Sequence, residues 1–257
     1  KVPLFPKTAG TSSPSSIAGI DRNFKMPQVW RTSLAADIKL PLDMTLTLEG
    51  MYTKDINAIV QRNINMPTPY GATPYNGPDK RPVWTTAGRK IYSNLSEAML
   101  LTNTDKGYSW TFTAQLNFPI VKNFNGMFAY TASMAKDISG NPGSQAASAW
   151  SNNLSVRGQN NLDLSYSQYL TPHRLVGSLS YKIEYLNHAA TTISVFYSGY
   201  IDGNFSYRYS NDFNNDGINA DLIYIPKDQS EITFEDFIVS GNVKYTAAQQ
   251  AEAFWNY

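Results

Sequence analysis

From Tyr108 to Phe118 the chain alternates without a break. Tyr108, Trp110, Phe112, Ala114, Leu116 and Phe118 share one parity, and Ser109, Thr111, Thr113, Gln115 and Asn117 share the other. A β-strand sends successive side chains to opposite faces, so this segment is expected to lie between an apolar medium and a polar one. A strand of a soluble sandwich would hide its apolar face in a core and carry charge on the other. Here the polar face is small and uncharged, and the apolar face is aromatic at both ends. This is the pattern of a membrane β-barrel strand, with lipid outside, a wet lumen inside and aromatic girdles at the two interfaces.

Composition agrees with that expectation. Charged residues make up 16% of the 257, against roughly 25% in soluble proteins. A formal net charge of +1 without a Lys/Arg cluster argues against nucleic acid as a partner. The absence of cysteine removes disulfide and thiolate chemistry. No apolar run reaches the ~18 residues of a membrane-crossing helix. The mean hydropathy of -0.35 does not oppose a barrel, because only every second strand residue is apolar.

Along the chain, residues 1–27 are rich in Pro, Ser and Gly and are expected to form a loop. Trp30–Leu40 and Met44–Ile56 alternate on either side of the turn signal Pro41-Leu42-Asp43, which predicts a hairpin. Residues 61–96, with Pro67, Pro69, Pro74, Pro78 and Pro82, are expected to be a long loop of the kind that is usually functional. Met99–Phe118 follows as one descending strand, bulged near Asp105-Lys106-Gly107. Phe124–Met134 alternates again. A polar loop at 138–172 has room for a short extra strand around Leu162, Leu164, Tyr166 and Tyr169. Strands headed by Leu175 and Ile193 flank the turn Asn187-His188-Ala189. The last segment, 210–257, ends in Thr246–Trp255, whose Ala, Gln and Glu favour helix.

Connections therefore alternate short and long, as in outer-membrane barrels with short periplasmic turns and long extracellular loops. The expected fold is all-β: an antiparallel transmembrane β-barrel segment of about six long strands, incomplete by itself because closure takes about eight. The expected organisation is a partial barrel domain over 1–257, with a loop at 1–27, strands and loops at 28–209, and an extracellular loop with a helical insert at 210–257. Both ends read as cut from a longer protein.

Several segments carry a family resemblance. They are Phe24-Lys-Met-Pro-Gln-Val-Trp30, Leu101-Thr-Asn-Thr-Asp-Lys-Gly-Tyr108, Pro172-His-Arg-Leu-Val176, Asp216-Gly-Ile-Asn-Ala-Asp-Leu-Ile-Tyr-Ile-Pro226 and the Gln249–Trp255 helix. In this order they resemble the C-terminal barrel of TonB-dependent outer-membrane receptors from Bacteroidetes, the Oar-like group with a carboxypeptidase-regulatory-like N-terminal domain. The resemblance implies a plugged barrel of about 22 strands, energised by the inner-membrane TonB complex and importing a bulky nutrient. It also implies the partners: the remaining barrel and plug of the same protein, the TonB complex acting through that plug, outer-membrane lipid and a surface lipoprotein. A passive porin or adhesin barrel, and a soluble extracellular β-sandwich binding glycans, are the alternative readings.

Candidate chemistry is sparse. Asp212-Phe-Asn214-Asn-Asp216-Gly217 matches the start of a calcium loop, with the carbonyl of Ile218 next in line as a ligand. The bidentate acid would fall at Ile223, which cannot ligate, and Asp221 is the nearby substitute. The other reading is a solvated Asn/Asp/Gly turn. Tyr70, Tyr75 and Trp84 in the first long loop are candidates for stacking on sugars or clasping a peptide, or else they pack the loop onto itself. The only histidines, His173 and His188, are expected at opposite rims. No G-x-S-x-G and no nucleophile beside a histidine is present, so an enzyme is not expected. Arg31, Asp37, Lys39, Glu49, Lys182 and Glu184 are expected on the lumen side, either paired there or facing plug or substrate.

Overall fold

A computed structural model describes residues 15–67, 73–121, 123–186 and 188–257. In chain order its elements are β1 (Ser15–Ile20), β2 (Val29–Lys39), β3 (Thr45–Asp55), β4 (Ala58–Asn63), β5 (Thr73–Pro74), β6 (Pro82–Val83), β7 (Leu95–Thr104), β8 (Tyr108–Val121) and β9 (Phe124–Asp137). Then come α1 (Ala146–Ser151), β10 (Ser165–Tyr166), β11 (His173–Leu186), β12 (Ala189–Tyr200), β13 (Phe237–Val239), β14 (Asn242–Tyr245) and α2 (Ala247–Trp255).

Six long strands form one antiparallel wall in the order β12-β11-β9-β8-β3-β2, and β10 adds to β9 beyond the rim. The hairpin expected around Pro41-Leu42-Asp43 is present. Leu42 and Asp43 take φ of 64° and 59°, the paired left-handed conformation of a tight turn whose twist matches the flanking strands.

Register places the apolar residues of neighbouring strands side by side. Trp110 pairs with Tyr52 and Met134, Ala114 with Leu48 and Tyr130, and Leu116 with Leu46 and Phe128. Because the side-chain period is two, a one-residue slip would turn this whole face inward. The opposite face is held by small polar pairs: Thr113 with Thr131 (3.0 Å), Ser180 with Ser194 (2.9 Å), and Thr47 donating to Asp37 (2.6 Å). Arg31 donates to Thr53, Lys39 to Thr45, and Lys182 pairs with Glu184. Of the expected lumen charges, Lys182 and Glu184 neutralise each other, while Arg31, Lys39 and Asp37 are hydrogen-bonded to threonine hydroxyls of the neighbouring strand.

No wall-strand residue whose burial is described is buried. The buried apolar residues lie in the loops and in β7: Met66, Trp84, Ala98, Met99, Ala149, Trp150, Leu170 and Ala220. A sandwich would bury one wall face under a second sheet. This wall has neither face buried, which fits a sheet whose solvents are lipid and lumen water.

The loop side differs from the sequence expectation in several places. Within 1–27, Ser15–Ile20 is a strand, paired in parallel with β7. A Pro/Ser/Gly-rich segment hides this role because its pairing partner lies about eighty residues away. The expected continuous descent from Met99 is two strands in two sheets. β7 joins a three-stranded sheet in the order β1-β7-β4, while β8 belongs to the wall. The chain steps sideways at 105–107, where Gly107 accepts a hydrogen bond from the Asp55 amide (2.9 Å) and packs so closely on the Asp55 carboxyl that a side chain would collide. The 61–96 loop contains the end of β4, the β5–β6 pair and the start of β7. The 138–172 loop contains α1, and the short extra strand expected there is β10. The final segment contains a β13–β14 hairpin, turned by Ser240 (φ 52°) and Gly241 (φ 81°). It leads into α2, whose N-terminus is closed by a reciprocal capping box between Thr246 and Gln249.

Candidate functional site

Three long loops meet over the rim of the wall. Their apolar centre is Met66, Trp84, Met99 and Trp150, with Ala146, Ala147 and Ile218 packed against it. Backbone bonds tie the same loops together: the Trp84 amide donates to the Asn214 carbonyl (2.9 Å), Ser155 to Ala220 (3.1 Å) and Leu222 to Ser155 (3.0 Å).

Arg81 is the polar centre of the assembly, and its side chain is fully buried. Its Nε donates to Asp79 Oδ2 (2.6 Å) and its Nη2 to the Leu222 carbonyl (2.7 Å). Asp221 Oδ1 lies 3.7 Å from Nη1. The guanidinium sits over Phe213 and Tyr209, 4.9 and 5.5 Å from the ring centroids, and those two rings stack at 4.2 Å. A buried cation of this kind persists only when paired and hydrogen-bonded. Asp79 and the Leu222 carbonyl supply the hydrogen bonds and two aromatic faces cover the ion, while Asp221 adds charge at 3.7 Å and leaves Nη1 and its own Oδ1 without a hydrogen bond.

The segment 212–221 is wound on its own amides. Asp212 accepts from the amides of Asp216 (3.0 Å) and Gly217 (2.7 Å), Asn214 from Asp216 (2.9 Å), and Asp216 from Ile218 (2.8 Å). Asn215 and Gly217 take φ of 57° and 96°, which lets the turn close this tightly. Asp221 Oδ2 accepts from the Phe213 amide (2.9 Å) and its other oxygen faces Arg81. Of the residues of the calcium reading, Asp212, Asn214, Asp216 and Asp221 thus accept hydrogen bonds from loop amides, Asp221 also faces Arg81, and Ile218 takes part through its amide. Among the described residues no group of three or more His, Asp or Glu is gathered to hold a metal ion. The hydrogen bonds are those of an Asn/Asp/Gly turn, in which each carboxylate oxygen keeps a lone pair beyond the amide bond it accepts. Burial pushes the Asp216 carboxyl up to about 7, with Asp221 and Asp212 adding to the rise and the Ile218 amide and Asn214 opposing it. Burial also raises Asp221, against the amides of Phe213 and Asn214 and the charge of Arg81.

Of the loop aromatics, Tyr70 lies outside the described residues. Trp84 is 3% exposed, so its ring packs the loop core and has no face open to a ligand. Tyr75 is 43% exposed and rests on Phe213 with centroids 5.3 Å apart. His173 opens β11, stacked on Tyr130 and hydrogen-bonded to its hydroxyl (2.7 Å). His188 follows the far end of this 14-residue strand, roughly 45 Å away at about 3.3 Å per residue. The two cannot share a site.

Sequence reasoning missed a large concavity. A cleft of about 970 Å³ opens between the β4–β7 sheet, the 74–82 segment and residues 157–164, beside the rim where β8 begins and β9 ends. Arg62, Lys80, Lys106 and the Arg157–Asp163 pair line it. The signal in the sequence was faint: a few cations, scattered over almost a hundred residues of otherwise polar loop.

Residues 2–212 match the family described as an outer membrane beta barrel domain, and the chain belongs to that family. It is an outer-membrane protein of all-β barrel type. No curated protein and no solved structure matches the chain.

Proposed function

We propose that this chain supplies wall and substrate-facing loops of a TonB-dependent receptor that imports a bulky nutrient across the outer membrane. The observation that carries this reading is the loop assembly itself. The first and last loops are joined through Arg81, Asp79 and Asp221, and the middle loop is tied in through Ser155, giving one cap beside an open cleft, where a passive pore needs only a clear lumen. The motif order from Phe24 to Trp255 adds the resemblance to receptors of this kind. On this reading the chain performs no covalent chemistry. Binding occurs at the loops, and energy reaches the barrel through a plug pulled from the periplasm.

The test is uptake by cells producing the full-length protein, before and after collapse of the proton-motive force. Energy-dependent accumulation of a bulky solute supports the reading. Flux that continues undiminished without energy, and that is graded only by solute size, assigns the barrel to passive porins instead.

A further inference from the structure

The cleft has a definite chemical character. Arg62, Lys80 and Lys106 project into it, all three exposed and none with a side-chain partner among the described residues. Arg157 is matched by Asp163, so the lining carries a surplus of three positive charges. The chain as a whole carries only +1, and elsewhere its buried Arg81 and the wall cations Arg31, Lys39 and Lys182 each have a partner. Cations left free on one concave surface focus the field there and raise the local concentration of anions.

The rest of the lining narrows the ligand further. Val60, Pro82, Ile138, Leu162 and Leu164 are aliphatic, and among the described residues no aromatic ring lines the cleft. Nearby loop aromatics are committed elsewhere, Trp84 to the core and Tyr75 to Phe213. A sugar ring is usually held by stacking its C–H face on an aromatic plane, and the described lining offers none. Aliphatic side chains suit aliphatic groups. Thr102, Asn103, Thr104, Asn160 and Asn161 add hydroxyls and amides to the lining, groups able to hydrogen-bond a peptide backbone. The volume lies at the top of the roughly 300–1,000 Å³ range of ligand sites, enough for several residues of extended chain.

From this lining we infer that the cleft binds an acidic peptide bearing aliphatic side chains, its carboxylates set against Arg62, Lys80 and Lys106. The inference rests on the import reading, since it names the class of cargo the loops receive, but it concerns binding alone and needs no energy source.

The experiment uses the full-length protein in detergent micelles. The probe is a fluorescent hexapeptide alternating Glu and Leu, with a Lys/Leu hexapeptide, tri-galacturonate and sodium sulfate as comparisons. The Glu/Leu peptide is expected to bind, and binding should weaken as ionic strength shortens the screening length. Each of Arg62→Glu, Lys80→Glu and Lys106→Glu is expected to raise Kd about tenfold or more. All three residues are solvent-facing, so these variants are expected to fold, and retained heat-modifiable migration in gels checks that. Absence of peptide binding, or binding indifferent to all three reversals, overturns the inference. Tighter binding of tri-galacturonate assigns the cleft to acidic glycans and overturns the peptide assignment. Displacement of the peptide by low-millimolar sulfate makes it a site for simple anions and overturns it as well. Failure of binding with intact energy-dependent uptake rejects the cleft alone. Intact binding without energy-dependent uptake rejects the transport reading alone.

Discussion

The ring of Phe118 lies over Gly126, its directly paired neighbour on the next strand, and leaves no room there for a side chain. A methyl placed on Gly126 would meet Phe118 Cζ at 2.5 Å and Leu179 Cδ2 at 3.0 Å. The aromatic thus covers backbone that glycine leaves bare, a device that pins strand register. Gly126→Val is expected to cost about 1–3 kcal/mol through overpacking. Combining it with Phe118→Ala should recover part of that loss. Urea unfolding in micelles, followed by tryptophan emission, measures the cycle, and strict additivity of the two changes would show that ring and glycine are independent.

The two wall faces should respond differently to charge. Ala114 and Gln115 are neighbours in β8, the first among Leu48 and Tyr130 and the second on the polar side. Ala114→Arg places a cation in lipid and should cost about 2–4 kcal/mol near the midplane. Gln115→Arg faces the lumen and should cost little. Equal losses for the two would reverse the assignment of faces.

Arg81→Met removes the only cation between two buried carboxylates, Asp79 and Asp221. Stranding buried charge in this way costs about 3–5 kcal/mol. The loss should appear as local opening, with protease sites in 74–83 and 207–223 becoming sensitive together while the wall persists. The triple change Arg81→Met, Asp79→Asn, Asp221→Asn should close the loops again. Cleavage confined to one loop would show that they open independently.

Asp216 gives the 212–221 turn a pH dependence with a definite sign. Its carboxyl stands at about 7 in the folded loop against an ordinary value of 3.8. The folded loop therefore holds more protons than the open one across that window. Stability falls as pH rises from about 3.8 to about 7 and stays at the lower level above it. Asp221, also raised by burial, contributes with the same sign. Asp216→Asn should flatten much of the slope, although it also gives up the hydrogen bond from Asn214 Nδ2 (3.2 Å). Amide exchange at Gly217 and Ile218, corrected for the intrinsic rate, reads the effect. An unchanged slope would place the titration elsewhere.

Calcium should leave that profile where it is. Among the described residues Asp212, Asp216 and Asp221 do not gather into a group that could hold a metal ion, and Asp221 faces Arg81. Millimolar calcium is expected to leave exchange at Ile218 unaltered at pH 7. Slowed exchange that chelator reverses would favour the calcium-loop reading of this segment.

The wall was readable from single residues because its information is local. The alternation from Tyr108 to Phe118 and the turn at Leu42-Asp43 each specify structure within a few positions. The loop cap was not, because its decisive contacts join distant segments. Asp79-Lys80-Arg81 stands out as a charged run in a Pro-rich loop, but its partner Asp221 is 140 positions away and gives no periodic signal. Trp84 illustrates the same limit. An aromatic in a long loop suits ligand stacking and loop packing equally, and only the arrival of Met66, Met99 and Trp150 decides between them. β1 was hidden for a related reason, since its role comes from the edge of β7 and not from a pattern of its own.

The Arg81 clasp bears on how the loops of this outer-membrane barrel can change over generations. A recombination that replaced the 73–96 loop alone would leave Asp221 without its counter-charge, and one that replaced 207–223 alone would deprive Arg81 of one carboxylate and its aromatic faces. New specificities are thus expected to arise by exchange of both loops together, or by point changes around the cleft at Arg62, Lys80 and Lys106, which carry no structural debt. Chimeras that swap one loop at a time should express poorly, while paired swaps should yield working variants with altered cargo.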